Sequence, residues 1–322
     1  MTMPYNQEPE LLSFKDVSKY FWVKSGFLAE KKELCAVKEV SFKLFKGECL
    51  GLVGESGCGK STLGRLACGL LAPSQGAITF KQKPLPKAGP DSSAKGQLQM
   101  IFQDPYSSLN PRMSVGASIA EPLLAKKVGQ AEAQKLAEEM LAKIGLAGYG
   151  ARYPHEFSGG QRQRIAVARA LITRPDVVIC DEPVSALDAS VQAQILNLLV
   201  ELKEQFAPAY LFISHDLQVV GYICQRIMVM YLGQLVEIGP REELFKHARH
   251  PYTRALLAAK ANFKKHDKKE ALLQGDLPSP LDPPKGCPFH PRCPKASTLC
   301  TTASPALTEL APEWFVRCHL FA

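Results

Sequence analysis

The sequence predicts an α/β fold with a largely parallel sheet. Short apolar runs typical of buried strands alternate with amphipathic helical segments, and a glycine-rich loop joins one such run to a helix. This alternation is typical of parallel sheets covered by helices. After about residue 245 the chain becomes charged and then proline-rich, which predicts a small, irregular, cysteine-rich C-terminal domain.

The predicted elements follow the chain. Residues 11–53 alternate apolar and polar side chains, which indicates strands of a mixed sheet. A helix is expected from Lys60 to Leu71, ended by Pro73, and a polar loop over residues 82–96. The later elements are helical segments at 112–146 and 159–173, a strand at 176–180, a helix at 190–206, a strand at 210–214 and a hairpin at 226–239.

The composition indicates the cellular compartment of the chain but does not identify its ligand. The chain has 322 residues and a formal net charge of +8, which suits an anionic ligand or membrane face but is also common without either. No apolar run approaches the roughly 18 residues of a membrane-spanning helix, and the start lacks the pattern of a secretory signal. We therefore expect a cytosolic chain whose ten cysteines are thiols or metal ligands rather than disulfides.

A phosphate-binding loop is predicted at GESGCGKS, residues 54–61, between the strand CLGLV and a helix. The pattern is G-x-x-x-x-G-K-[ST], in which backbone N–H groups and a helix N-terminus surround phosphate oxygens. Lys60 would contact the β- and γ-phosphates, and Ser61 would bind Mg²⁺. The predicted nucleotide-binding residues of this loop are Gly54, Glu55, Ser56, Gly57, Cys58, Gly59, Lys60, Ser61 and Thr62.

Two acids end a second buried strand, in VVICDEP at residues 177–183. Carboxyl ends of parallel strands are where such folds bind ligands, so Asp181 is expected near Mg²⁺ and Glu182 is expected to polarise the attacking water as general base. Taken alone, the two acids could be surface residues that follow the strand without a catalytic role. Their occurrence after a phosphate loop favours the catalytic interpretation.

The segment FSGGQRQRIAVARAL, residues 157–171, resembles the signature of ATP-binding cassette (ABC) ATPases, with Phe157 in the usual leucine position. Gln103 in IFQDP resembles the family's Q-loop glutamine, and Asp188 ends a segment, SALD, that resembles its D-loop. His215 in FISHD resembles the switch histidine. Phe21 stands where the family stacks an aromatic ring on adenine, although Tyr20 could serve instead.

This resemblance implies an ATPase with ATP and Mg²⁺. It implies a P-loop NTPase cassette over residues 1–245, with a RecA-like core, a helical subdomain at about 104–165 and an antiparallel β subdomain, followed by a C-terminal domain over 246–322. Gln103 would sense the γ-phosphate and touch Mg²⁺ or water, and His215 would contact that phosphate. In the family, two cassettes close head to tail, so that Ser158, Gly159, Gly160 and Gln161 bind the ATP of the other cassette.

Three longer stretches resemble the ATPases of dipeptide and oligopeptide importers, most closely their second ATPase subunit: residues 102–115, 181–199 and HPYTRALLAA at 250–259. The implied partners are a second ATPase subunit, two transmembrane permeases and, indirectly, an extracytoplasmic substrate-binding protein, with no nucleic acid. The chain would then lie at the cytoplasmic face of the inner membrane. Nickel or metallophore complexes, glutathione and sugars remain alternative cargoes, and a cassette acting on nucleic acid or ribosomes is an alternative of another class. Glu182 argues against a non-hydrolysing regulatory cassette.

Four cysteines near the C-terminus, Cys287, Cys293, Cys300 and Cys318, form the series C-x5-C-x6-C-x17-C. This spacing matches neither a zinc C-x2-C pair nor a ferredoxin. A short proline-rich tail is expected to bury little apolar surface and therefore to need a staple, and thiolates select an iron–sulfur cluster or zinc. The family resemblance implies a [4Fe–4S] cluster of structural role, with zinc or no metal left open and with His290 and His319 outside the ligand set.

Overall fold

The computed structural model describes residues 8–24, 31–85, 94, 96–104, 108–261 and 276–321. The strands are β1 (Glu10–Lys24), β2 (Lys31–Phe45), β3 (Cys49–Val53), β4 (Gln75–Phe80), β5 (Lys83–Pro84), β6 (Leu98–Ile101), β7 (Val177–Asp181), β8 (Ala209–Ser214), β9 (Arg226–Tyr231), β10 (Gln234–Pro240), β11 (Thr308–Ala311) and β12 (Trp314–Val316). The helices are α1 (Lys60–Ala67), α2 (Val115–Ala125), α3 (Gln130–Lys143), α4 (Gly159–Leu171), α5 (Ala189–Phe206), α6 (Leu217–Ile223), α7 (Arg241–His247), α8 (Pro251–Ala261) and α9 (Thr298–Thr302).

The larger sheet has the order β11-β12-β10-β9-β3-β8-β7-β6, and β9, β3, β8, β7 and β6 are parallel. Every residue of β3, β7 and β8 is buried, as expected of strands covered on both faces. The predicted α/β fold with a largely parallel sheet is therefore confirmed. The carboxyl ends of the parallel strands point toward one edge, where the predicted phosphate loop and acid pair follow β3 and β7.

The residues predicted as one mixed sheet over 11–53 divide between two sheets. The long strands β1 and β2 pair antiparallel and join β4 and β5 in a sheet of order β2-β1-β4-β5. Phe14 and Phe42 stack across β1 and β2 with ring centroids 4.5 Å apart. This division into two sheets follows the hydrophobic pattern of the strands. The alternating segments β1 and β2 bury one face, whereas the continuous apolar run CLGLV of β3 is buried on both faces.

The predicted helical segment at 112–146 is two helices, α2 and α3. Ser114 caps α2 by accepting the Ala117 N–H at 3.3 Å. The helix ends at Ala125, and Lys127 adopts a left-handed φ of 65° before α3 begins. A left-handed residue cannot continue a right-handed helix, so the chain reverses here and α3 packs back against α2.

The C-terminal region is tied into the main sheet. Strand β12 pairs antiparallel with β10, and the Glu237 carboxylate of β10 accepts the backbone N–H groups of Arg249 at 2.8 Å and His250 at 3.0 Å. The same carboxylate accepts Trp314 Nε1–H at 3.0 Å. The region is thus irregular only in part, and the division at residues 245 and 246 stays a prediction. In the described ranges, none of the helices combines the length and apolarity needed to cross a membrane.

His250 is buried and neutral. It is 1% exposed, it packs against Phe289, and burial lowers its pKa to about 3. The unfolded state, with a His pKa of about 6.5, therefore binds the extra proton between pH 6.5 and 3, so this contribution to stability is complete above pH 6.5 and decreases as the pH falls.

We predict that His250→Asn reduces the acid sensitivity of folding. Asn Oδ1 can replace His250 Nδ1 as acceptor of the Tyr252 N–H, a bond of 3.1 Å. Between pH 6.5 and 5, the wild-type free energy of unfolding should decrease by about 1 kcal/mol per pH unit more than that of the variant. Denaturant unfolding at each pH measures this difference, with the exposed His247→Asn as control. Parallel pH curves for wild type and His250→Asn would contradict the assignment.

Candidate functional site

A cleft of about 340 Å³ lies at the carboxyl ends of the parallel strands. The phosphate loop lines it, together with Gln103 after β6 and Glu182 after β7. Its lining residues are Phe21, Leu34, Cys35, Ala36, Ser56, Gly57, Cys58, Gly59, Lys60, Ser61, Thr62, Gln103, Glu182, Leu232, Gly233 and Pro280. The cleft thus gathers predicted site residues from four separate parts of the sequence.

The phosphate loop requires glycine at defined points. Gly59 has a φ of 108°, and a Cβ there would lie 2.1 Å from the Ala36 carbonyl oxygen. A Cβ on Gly54 would lie 2.3 Å from the Met230 carbonyl oxygen. Any side chain at either position would collide with backbone of β2 or β9. The loop therefore lies in direct contact with its neighbouring strands, and glycine is required at both positions.

Lys60 is buried in this loop. Its Nζ donates to the carbonyl oxygens of Gly54 at 2.8 Å and Glu55 at 2.9 Å, and the side chain is 5% exposed as part of the cleft lining. A buried ammonium that is held by carbonyl oxygens beside a helix N-terminus makes a positive site suited to phosphate oxygens. Cys58 directs its thiol inward, and burial raises the pKa of that thiol, so its sulfur stays protonated.

Ser61 and Asp181 lie together, although they are far apart in sequence. Ser61 Oγ donates to Asp181 Oδ1 at 3.0 Å. Burial raises the pKa of Asp181, and the bond from Ser61 partly offsets that effect. A hydroxyl and a carboxylate oxygen beside the phosphate loop are hard ligands that suit Mg²⁺, so the residues present fit this ion.

Glu182 and His215 form a second pair. His215 Nδ1 lies 3.2 Å from Glu182 Oε2, and Glu182 lines the cleft while His215 is exposed beside it. Glu182 has a left-handed φ of 49°, which is rare for a residue with a side chain, and its N–H donates to the Ile213 carbonyl at 3.0 Å. The backbone of Glu182 is therefore held in place beside the cleft, and its carboxylate contacts His215.

Phe21, rather than Tyr20, lines the cleft. Lys19 Nζ lies 5.3 Å from the centre of the Phe21 ring, and Tyr20 lies opposite Cys35 in the pairing of β1 and β2. The cleft also includes residues that the sequence analysis did not predict, among them Cys35 and Pro280. These come from β2 and from the C-terminal region, and no local motif marked them.

The signature residues lie outside this cleft. Ser158 caps α4 by accepting the Gln161 N–H at 3.4 Å, and Gln161 Oε1 accepts the Ser158 N–H at 2.9 Å. Asp188 caps α5, and the Val191 N–H that it accepts at 3.0 Å lowers the pKa of this exposed carboxyl. The signature and D-loop residues that do not line the chain's own cleft are Ser158, Gly159, Gly160, Gln161 and Asp188. Gly54, Glu55, Asp181 and His215 are not in the lining either, but each contacts a residue that is.

The four C-terminal cysteines lie in one neighbourhood without forming a compact ligand set. The Cys287 N–H donates to the Cys300 carbonyl at 2.8 Å, and burial raises the Cys287 pKa to about 11, with smaller effects from the other three thiols. Within the ranges that the structure describes, no three His, Cys, Asp or Glu side chains are grouped closely enough to hold a metal. His290 Nδ1 and His319 Nε2 contact backbone carbonyl oxygens, each at 2.9 Å.

The C-terminal region buries apolar side chains without any crosslink between its cysteines. Phe289, Trp314 and Val316 are all buried, so the C-terminal region shares apolar core with the rest of the chain. The expectation of little buried apolar surface was therefore wrong. Sequence pattern could not reveal this, because the buried residues pack against elements distant in the chain.

Two family models match the chain. The model described as ABC transporter matches residues 37–185, and the model described as oligopeptide/dipeptide transporter, C-terminal region, matches residues 236–300.

Curated relatives match nearly the whole chain. The oligopeptide transport ATP-binding protein AppF of Bacillus subtilis is 48% identical over 98% of this chain and 99% of its own length. The dipeptide transport ATP-binding protein DppF of Escherichia coli is 47% identical over 94% of this chain and 92% of its own length.

Solved structures of ABC transporter components have a similar fold. The structure of cbiO1 from Clostridium perfringens, part of the ABC transporter complex cbiONQ, superposes with a TM-score of 0.64 at 26% identity, covering 80% of this chain and 97% of that one. The predicted cassette fold is thereby confirmed. On these matches and this cleft, the chain belongs to the ABC transporter family, as an ATP-hydrolysing subunit that uses ATP and Mg²⁺ and carries the C-terminal region of oligopeptide/dipeptide transporters.

Proposed function

We propose that this ATPase energises import of dipeptides or oligopeptides across a membrane. One observation carries the ATPase part: the cleft gathers Lys60, Ser61, Gln103 and Glu182 at one edge of the sheet. The cargo part is supported by the names of the relatives, which are oligopeptide and dipeptide transport ATP-binding proteins, and by the match of the C-terminal region.

The predicted site residues in and beside the cleft have distinct roles in ATP binding and hydrolysis. Lys60 binds the terminal phosphates. Ser61, Asp181 and Gln103 would hold Mg²⁺, which would supply positive charge to the phosphate oxygens. Glu182 accepts a proton from the attacking water as general base. His215, which lies 3.2 Å from Glu182, orients that carboxylate and reaches the γ-phosphate. Phe21 stacks on the base.

The exposed signature favours action on a second cassette. The amides at the start of α4 and the Ser158 hydroxyl suit an anion, yet they do not line the chain's own cleft. A related cassette, MJ0796, is dimeric in a post-hydrolysis state bound to ADP and Pi, with a TM-score of 0.62 to this chain at 25% identity, covering 72% of this chain and 99% of that one. We infer a head-to-tail pairing with a second ATPase subunit, bound to two permeases at the cytoplasmic membrane face and supplied by an extracytoplasmic substrate-binding protein.

Nickel or metallophore complexes, glutathione and sugars are alternative cargoes of the same machine. A cassette acting on nucleic acid or ribosomes is an alternative of another class. Affinity purification of the full chain from membranes separates these classes, since permease subunits should copurify rather than ribosomes or DNA.

We predict that Glu182→Gln reduces ATP hydrolysis by about 100- to 10,000-fold, the usual contribution of a general base. ATP binding should remain, because Gln keeps the shape of the side chain. Phosphate release and equilibrium ATP binding by the assembled transporter measure the two effects. Glu201→Gln, on the exposed face of α5, is the matched control and should hydrolyse ATP normally. Normal hydrolysis by Glu182→Gln would remove this residue from the mechanism.

We predict that cells depending on this transporter accumulate a labelled dipeptide or oligopeptide with the wild-type chain and not with Glu182→Gln. Nickel, glutathione and a sugar, offered separately in labelled form, should not show this dependence. Uptake of one of these instead of peptide would contradict the cargo proposal while leaving the ATPase proposal intact. Glu201→Gln again serves as control.

We further propose that Cys287, Cys293, Cys300 and Cys318 hold a [4Fe–4S] cluster of structural role. The support is their common neighbourhood, the soft character of thiolates and the 2.8 Å backbone bond that joins the Cys287 and Cys300 segments. Holding it requires the thiols to approach one another more closely than they do here. Zinc and no metal remain the alternatives.

We predict that anaerobically purified chain contains about four irons and absorbs visible light, and that Cys293→Ser loses both. Cys68→Ser, which changes a thiol outside the C-terminal region, is the control and should keep the iron. Iron analysis and absorption spectroscopy measure this. A colourless wild-type chain with zinc, or with neither metal and an intact fold, would overturn the proposal.

A further inference from the structure

Glu55, the second residue of the phosphate loop, is held by the C-terminal region. Its backbone N–H donates to Tyr252 Oη at 3.0 Å. Its carboxylate accepts two bonds from Arg292 Nη1, at 3.0 and 3.1 Å. Tyr252 belongs to the HPYT segment at the start of α8, and Arg292 lies in the short turn between Cys287 and Cys293. Both the main chain and the side chain of Glu55 are therefore fixed by residues about 200 positions later.

These contacts are largely shielded from water. The Arg292 side chain is 6% exposed and that of Glu55 is 24% exposed. Tyr231, Tyr252 and Phe289 pack around them, with ring centroids 4.7 to 5.4 Å apart. Ion pairs in such surroundings cost desolvation energy and are weak evidence for stability alone, whereas removing one partner leaves a buried charge without compensation. Fixing one defined geometry is therefore the better explanation of this pair.

The fixed residue touches the nucleotide-binding lysine. Lys60 Nζ donates to the Glu55 carbonyl oxygen at 2.9 Å, and the Cys58 N–H donates to the same oxygen at 3.3 Å. A displaced Glu55 would move this carbonyl and with it the position of the Lys60 ammonium. The C-terminal region also contributes Pro280 to the cleft lining. It therefore reaches the nucleotide site at two places.

We propose that Arg292 and Tyr252 are positioning residues that hold the phosphate loop in its ATP-binding conformation, so that the cysteine-bearing C-terminal region sets the ATP affinity of its own cassette. The Arg292–Glu55 pair orders the loop before ATP arrives, and binding then avoids part of the cost of ordering it. The effect falls on binding rather than on the chemical step. It does not depend on the identity of the cargo.

The first test compares Arg292→Gln, Arg292→Lys and the control Lys285→Gln, which removes a charge from an exposed residue of the same region. Arg292→Gln should raise the KM for ATP and the ATP dissociation constant of the full-length chain about tenfold, with kcat of the assembled transporter unchanged, since a bond to a charged group is lost. Arg292→Lys should restore most of the affinity, because a single nitrogen makes both bonds to Glu55. Lys285→Gln should match wild type.

A double-mutant cycle tests whether Arg292 acts through Glu55. In a Glu55→Gln chain, Arg292→Gln should cause no further loss of ATP affinity. Equal losses in both backgrounds would overturn the proposal. So would an unchanged ATP affinity of Arg292→Gln together with a lower melting temperature, which would make the pair a structural link only.

Tyr252→Phe supplies a second test, which also serves if Arg292→Gln does not fold. The variant keeps the ring and removes the hydroxyl that accepts the Glu55 N–H. It should raise the KM for ATP about threefold and accelerate hydrogen exchange at the Glu55 amide. Wild-type values for both would overturn the role of Tyr252 in positioning the loop.

Discussion

The close contact between the phosphate loop and its neighbouring strands is the constraint on which the site depends. Gly54 and Gly59 lie where a Cβ would collide with backbone oxygens of Met230 and Ala36. Because the loop lies against β2 and β9, its shape is set by two sheets at once. This arrangement turns Lys60 inward and brings Ser61 within 3.0 Å of Asp181. The loop is consequently a tertiary structure as much as a local motif.

Burial governs the charges around this loop. It raises the pKa of Asp181, and it keeps His250 neutral in the core beneath α8. Buried or half-buried charged pairs form several hydrogen bonds. Arg292 Nη1, for example, donates to both carboxylate oxygens of Glu55. Charge without a partner in such surroundings would destabilise the fold. The polar groups near the cleft are therefore held in defined directions before any nucleotide binds.

The C-terminal region is part of this arrangement rather than an appendage. Glu237 of β10 ties the start of α8 and Trp314 of β12 to the main sheet. Phe289 then packs against Tyr231 at the end of β9. None of these contacts involves a cysteine, so the region packs against the main sheet through hydrogen bonds and buried apolar side chains. The packing of the C-terminal region therefore does not require a metal bound to its cysteines.

The sequence by itself determined the elements and the chemistry that local pattern encodes. Continuous apolar runs identified β3, β7 and β8, and the spacing of Gly59, Lys60 and Ser61 identified the phosphate loop, because period and steric need are properties of adjacent residues. Only the tertiary structure showed that residues 11–53 divide between two sheets and that Phe21, not Tyr20, lines the cleft. It alone also showed the hydrogen bonds from Arg292 to Glu55. These depend on which distant surfaces meet, and the free energy of burial that brings them together is a property of the whole packed core.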